Sequence, residues 1–124
     1  MLFRSQVTGY TLVDALRGTD IMLLRSYAMK DMPKSLSIRV DVLKCSPKMT
    51  ASVYIDFDGM TRCERFAPYT VFGDVASVNR KNETVYGGKA ISVGRHIINA
   101  TPYTGDKCRG AAGKNHTLVF TVVK

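Results

Sequence analysis

Few residues in this chain can do chemistry: three cysteines (Cys45, Cys63, Cys108), two histidines (His96, His116), the run Asp56-Phe57-Asp58-Gly59 and six tyrosines. The cysteines have no Cys-x-x-Cys spacing and only two histidines to complete a tetrahedral set, so a structural zinc site is not expected. A thiol nucleophile needs a lowered pKa and an organised base; neither histidine is close in sequence, and no acidic residue is placed by sequence to orient either ring. Asp56-Phe57-Asp58-Gly59 resembles the start of a calcium loop but lacks the further ligands and the terminal Glu, and a hairpin turn at Asp58-Gly59 accounts for it. Asp74, after Gly73, would add a carboxylate only if the loops converged. The glycines at 105, 110 and 113 follow no phosphate-loop spacing and precede a strand. The expectation is therefore a chain without enzymatic activity, cofactor or metal.

The remaining reactive positions are structural or surface features. Cys63 and Cys108 lie near Pro68-Tyr69 and Pro102-Tyr103, one in the return strand of a hairpin and one in the loop between the last two strands. If those segments are neighbours, a bridge between them closes a loop of about 45 residues and adds about 3 to 5 kcal/mol in the chain-entropy picture. Cys63 with Cys108 is the favoured pair, with Cys45 free; Cys45 with either partner stays open. Three Asn-x-Thr sequons, at Asn82, Asn99 and Asn115, are candidate glycosylation sites and lean towards a eukaryotic secretory context. Tyr54, Tyr69, Tyr86 and Tyr103 are candidate ligand contacts, although tyrosines beside Pro more often bury their rings at a corner and bond their hydroxyl to backbone. His96 shares the phase of Ile98 and Ala100, so it reads as a partly buried ring satisfied by a loop carbonyl, while His116 reads as part of a polar loop.

Strands are needed to position these groups. Residues 35–42 alternate strictly, with Leu36, Ile38, Val40 and Val42 on one side and small or charged groups on the other. Residues 51–57 repeat the rhythm with Ala51, Val53, Ile55 and Phe57 inward, and the return strand runs from about Met60 to Phe66. Pro68 breaks the ladder before an extended 69–72. His96, Ile98 and Ala100 form one face of a later strand, and Leu118, Phe120 and Val122 the buried face of the last. Val7, Tyr10 and Leu12 mark a first strand with Gly9 as a bulge. Periodicity does not assign Ile21-Met22-Leu23-Leu24, 25–33 is weakly helical, and 75–89 reads as a long mobile loop with one short strand. About seven strands at even spacing predict an all-β, two-sheet sandwich in a single domain over 1–124.

A net charge of +8 allows attraction to polyanions, yet the cations are scattered and the tightest cluster is Arg80-Lys81. Nucleic acid is not expected as a partner. No apolar run approaches the roughly 20 residues of a spanning helix, so this segment is not expected to insert in a membrane. The opening Met1-Leu2-Phe3-Arg4-Ser5-Gln6 lacks the pattern of a signal peptide; if secreted, the chain is expected to be a mature or excised fragment.

Read together, Val7-Thr8-Gly9-Tyr10-Thr11-Leu12, Leu36-Ser37-Ile38-Arg39, Glu64 with Ala67-Pro68-Tyr69 through Gly73-Asp74, Gly94-Arg95-His96, Ala100-Thr101-Pro102-Tyr103-Thr104-Gly105, Gly110-Ala111-Ala112-Gly113 and Phe120-Thr121-Val122 resemble a family of immunoglobulin-like β-sandwich repeats of large secreted and cell-surface proteins. The resemblance covers nearly the whole chain and departs in 17–32. It implies an immunoglobulin-like sandwich outside the cell, without catalytic or ligand residues to transfer; the cysteines look like an addition suited to an oxidising compartment. The expected function is a structural spacer or a protein-recognition and adhesion module, its partners a protein or neighbouring domains, presented from loops 75–89 and 104–115. The alternatives are a carbohydrate-binding module using the tyrosines and a basic polyanion-binding domain.

Overall fold

The computed structural model describes residues 6–43, 52–65, 68–78 and 84–124. Strand β1 (Gln6–Asp14) turns into β2 (Thr19–Ile21); β3 (Ser26–Ala28) leads through a 3-10 turn, Met29–Asp31, to β4 (Leu36–Leu43). β5 (Ser52–Phe57) and β6 (Met60–Glu64) form a hairpin, followed by β7 (Tyr69–Thr70), the pair β8 (Asp74–Val78) and β9 (Thr84–Tyr86), and the long β10 (Gly94–Tyr103) and β11 (His116–Val123). One sheet has the order β2-β1-β4-β7, the other β3-β11-β10-β5-β6, and β8 pairs with β9.

The alternation of apolar residues explains why the two sheets meet. Leu12, Leu36, Ile38 and Val40 of the four-stranded sheet share one buried cluster with Val53, Ile55, Phe57, Ile98, Ala100, Phe120 and Val122 of the five-stranded sheet. Phe120 has no exposed surface and receives the edge of the Tyr27 ring at a centroid distance of 5.9 Å. Turn chemistry fixes the β5–β6 register. Asp58 and Gly59 have φ of 51° and 87°, the two left-handed residues of a two-residue hairpin, and Phe57 faces Met60 across it. In β1 the pairing with β4 shifts between Val7 and Gly9, which is the bulge expected there.

The structure corrects several expectations. Eleven strands, not about seven, stand among the described residues, because short edge segments join both sheets. The weakly helical 25–33 contains β3, which runs parallel to β11, and only a single 3-10 turn, since three consecutive residues cannot outweigh pairing to a sheet edge. The expected loop 75–89 contains the β8–β9 hairpin. His116 opens β11 instead of lying in a polar loop. Ser37 was placed by its phase on the outward side with the polar residues, yet it has no exposed surface, and Val13 opposite it is equally buried. Ala51, Phe66 and Ala67 lie outside the described residues.

The unassigned Ile21-Met22-Leu23-Leu24 closes β2 and then leaves the sheet. The Tyr27 hydroxyl donates to the Met22 carbonyl (2.9 Å) and accepts from the Leu24 amide (2.6 Å), which holds the segment against β3 while Met22, Leu23 and Leu24 face solvent.

Replacing Phe120 by Ala is expected to cost about 3 to 5 kcal/mol, the transfer loss plus an unfilled cavity between the sheets. Chemical denaturation checks this; a loss under about 1 kcal/mol contradicts the placement of Phe120 at the centre of the core.

Candidate recognition face

The outer face of the five-stranded sheet carries Tyr54, Tyr103, Asn99 and Cys63, and one loop is tied down over its end. Cys63 of β6 is bonded to Cys108, 45 residues later, with Cα atoms 6.0 Å apart. Ser52, at the start of β5, donates through Oγ to the Gly105 carbonyl (2.6 Å) and accepts from the Cys108 amide (2.8 Å), so a buried hydroxyl sits under the loop. Arg65 grips Asp106 with two parallel bonds, Nε to Oδ1 at 2.8 Å and Nη2 to Oδ2 at 2.6 Å. That fork holds the Asp106 carboxyl below its ordinary pKa and raises Arg65 above its own. Both groups are exposed, so the pair orients the loop more than it stabilises the fold.

Such anchoring answers a local cost. Lys107 and Cys108 hold φ of 59° and 55°, left-handed values that disfavour residues with a Cβ by about 1 kcal/mol or more each. Gly105 lies where a Cβ would fall 2.6 Å from the Arg109 carbonyl oxygen, so only glycine closes this turn without displacement. The Gly105 amide bonds Arg109 O, and Thr104 bonds Ala111 through its amide and again through its hydroxyl.

Two of the four candidate tyrosines come together. Thr101 faces Tyr54 and Tyr103 faces Ser52 across β10 and β5, which sets Tyr54 and Tyr103 on the same outward phase as diagonal neighbours. Tyr54 is 39% exposed and Tyr103 half-buried. Tyr69 is 4% exposed and belongs to the core cluster, which corrects its candidacy as a ligand contact: β7 turns its ring inward beside Val40. Tyr86 lies on β9, and its side chain is outside the described residues.

The sequons of Asn99 and Asn115 interlock. Asn115 Nδ2 donates to Asn99 Oδ1 (2.6 Å) and to Thr101 Oγ1 (2.7 Å), and Asn99 Nδ2 donates to Thr117 Oγ1 (3.2 Å). Each asparagine thus bonds the threonine of the other sequon, a lattice across β10 and β11 beside Tyr54. The third sequon, at Asn82, and Cys45 lie outside the described residues.

His96 is satisfied by a loop carbonyl, Ser92 O, at 2.8 Å from Nε2, and a partner that sequence reading missed, Asp58 Oδ2, sits 2.6 Å from Nδ1. A carbonyl only accepts, so Nε2 donates to Ser92 O, and Nδ1 is left to Asp58. The ring lies between Phe57 and Phe120 and is 5% exposed. With both nitrogens engaged, His96 has none left to accept a proton from a substrate. Asp58 also accepts from the Ile97 amide through Oδ1 (2.8 Å) and donates its own amide to Ile97 O (2.9 Å), which clips the hairpin turn to β10. A pairing 38 residues distant leaves no local signal; the legible part was the Asp-Gly turn itself.

On the first sheet, the Tyr10 hydroxyl donates to the His116 carbonyl at 2.5 Å, and burial pushes it above the ordinary tyrosine range. Among the described residues no three His, Cys, Asp or Glu side chains converge as metal ligands, and the side chain of Asp74 lies outside them. No helix among them is long and apolar enough to cross a membrane. A depression of about 510 Å³, lined by Asp14, Leu16, Arg17, Asp31 and Lys34, is open to solvent and has none of the tyrosines in its walls. Comparison with protein-family models, with curated proteins and with solved structures finds no match to this chain.

Replacing Cys63 and Cys108 together by Ala is expected to lower stability by about 4 kcal/mol, from the entropy of the opened loop. Urea denaturation measures it, and an unchanged midpoint contradicts it. Asp58→Asn keeps the left-handed turn and the bond from Ile97 but removes the charge facing His96, at about 1 to 2 kcal/mol; Asp58→Ala removes all three, at about 3 kcal/mol. Denaturation midpoints check both, and an Asp58→Asn variant as stable as the wild type would show that the charge facing His96 contributes nothing.

Proposed function

We propose that this chain is a non-enzymatic, extracellular, immunoglobulin-like module that recognises a protein partner through the outer face of its five-stranded sheet and the tethered loop above it. The strand order supports the fold: with β1, β4 and β7 as A, B and E, and β5, β6, β10 and β11 as C, C′, F and G, the two sheets take the immunoglobulin orders, and β8–β9 is an insertion between E and F. The bridge differs from the inter-sheet disulfide of antibody domains, since it runs from C′ to the F–G loop. An oxidising compartment suits it.

The observation that carries the functional reading is the anchoring of 104–112. A loop that contains two left-handed non-glycine residues is held by a disulfide, a buried serine and a forked ion pair, so its exposed Lys107 and Arg109 are pre-organised beside Tyr54 and Tyr103. Pre-organisation lowers the ordering cost of association, and tyrosine supplies contact area with little side-chain entropy to lose. A carbohydrate-binding reading is favoured by one feature, the two tyrosines beside the amide and hydroxyl lattice of Asn99, Thr101, Asn115 and Thr117.

A fluorescent tetramer of the chain is expected to bind cell surfaces saturably and to lose about tenfold or more in affinity in a Tyr54→Ser, Tyr103→Ser double variant that keeps its melting temperature, the loss typical of central aromatic contacts. Retention after enzymatic removal of cell-surface glycans supports a protein partner. Loss on that treatment, with hits on a glycan array, selects the carbohydrate reading, and a steep fall with salt selects a polyanion.

A further inference from the structure

We infer that the free edge of β6, together with the groove beneath it, is a second binding site, for an extended peptide segment that carries an acidic residue two positions from a bulky apolar one. Among the described residues β6 ends the five-stranded sheet, with β5 on one side only. In a two-residue hairpin the closing pair, Phe57 with Met60, exchanges hydrogen bonds, so Arg62 and Glu64 also point their backbone groups at β5. Thr61 and Cys63 therefore turn N–H and C=O away from the sheet, and no hydrogen bond meets the Thr61 amide among the described residues. This is a ready template for one more strand.

The side chains below the edge give the occupant its chemistry. Met60 and Arg62 point inward, in the phase of Phe57 and Ile55, at the open flank between the two sheets. Two adjoining depressions of about 240 and 270 Å³ run along this flank and share Met60, Phe72 and Lys89 as walls. The first is floored by Phe57, Phe72 and Ile91, and Met60 over it is 48% exposed. In the second, Arg62 lies across the flank so closely that a Cβ on Gly73 would sit 2.8 Å from its Nη2, and Lys89 Nζ stands 5.3 Å from the centre of the Phe72 ring.

Arg62 meets Glu64 Oε1 through Nε at 3.3 Å, and its Nη2 reaches on towards Gly73 beside Lys89; an apolar floor next to that guanidinium end and Lys89 matches a strand whose inward residues, two apart, are one acidic and one bulky apolar. The same cations oppose edge pairing between two copies, which would bring Arg62 of each close together; an inward-pointing charge on an edge strand commonly has that effect. The site is separate from the tyrosine face, because Thr61 and Cys63 alone of β6 share the outward phase of Asp56 and Tyr54.

The test is selection of a random nonapeptide phage library on the intact, disulfide-bonded protein, followed by fluorescence anisotropy with the enriched peptide. Acidic-x-apolar sequences, in either direction, are expected. Thr61→Pro removes the outward N–H, is tolerated on an edge strand, and is expected to weaken binding about tenfold or more. Arg62→Glu is expected to weaken it similarly and, in a fresh selection, to replace acidic by basic residues. Backbone NMR shifts on the wild type, confined to 57–64, 71–73 and 89–96, keep the proposal testable should Thr61→Pro fail to fold. No enriched peptide, enrichment without acidic residues, wild-type affinity in a folded Thr61→Pro variant, or shifts centred on Tyr54 and Tyr103 would each overturn it.

Discussion

The register of β10 between β5 and β11 is the constraint on which the rest depends. It sets His96, Ile98 and Ala100 into the core and leaves Ile97, Asn99, Thr101 and Tyr103 outside. A slip of one residue would exchange the two sets, burying an amide lattice and exposing Ile98. Asp58 guards this alignment from the side, because its backbone and carboxylate both bond Ile97 while the second carboxylate oxygen reaches His96. One turn residue thus links the β5–β6 hairpin, the central strand and the aromatic core of Phe57 and Phe120.

From that register the outward surface follows. Asn99 meets Thr117 on one side and Asp56 on the other, Thr101 meets Tyr54, and Tyr103 ends the strand above Ser52, where the disulfide-tied loop begins. The loop has too few apolar residues of its own to hold a left-handed pair, and its order comes from Ser52 on β5, Cys63 on β6 and Arg65 just after β6. The sheet supplies rigidity, and the loop supplies cations and backbone groups that a flat sheet lacks.

The core faces were legible in the sequence where alternation is strict, as in Leu36, Ile38 and Val40 or Val53, Ile55 and Phe57, because a period of two has one structural meaning for a half-buried strand. The Asp58-Gly59 turn was legible for the same local reason. Short edge strands were not: β2, β3, β7 and β9 each have two or three residues, too few for a period, and they exist because a longer neighbour offers unpaired backbone. Buried Ser37 was missed because alternation reports the phase of a residue and not what covers it. Of the candidate site, the Asp58–His96 contact, the crossed sequons and the convergence of Tyr54 with Tyr103 are cross-strand relations between distant segments, and register is absent from composition. The sequence also offered four tyrosines on equal terms, and only burial removes Tyr69 from the surface.

The most direct measurement of this account is amide hydrogen exchange followed residue by residue by NMR. A strand bonded on both sides protects every amide, so exchange is predicted to be slow without interruption from Ile97 to Thr101. Along β6 it is predicted to alternate, fast at Thr61 and Cys63 and slow at Arg62 and Glu64. Alternating exchange on β10, or uniform protection along β6, would contradict the central place of the one and the free edge of the other.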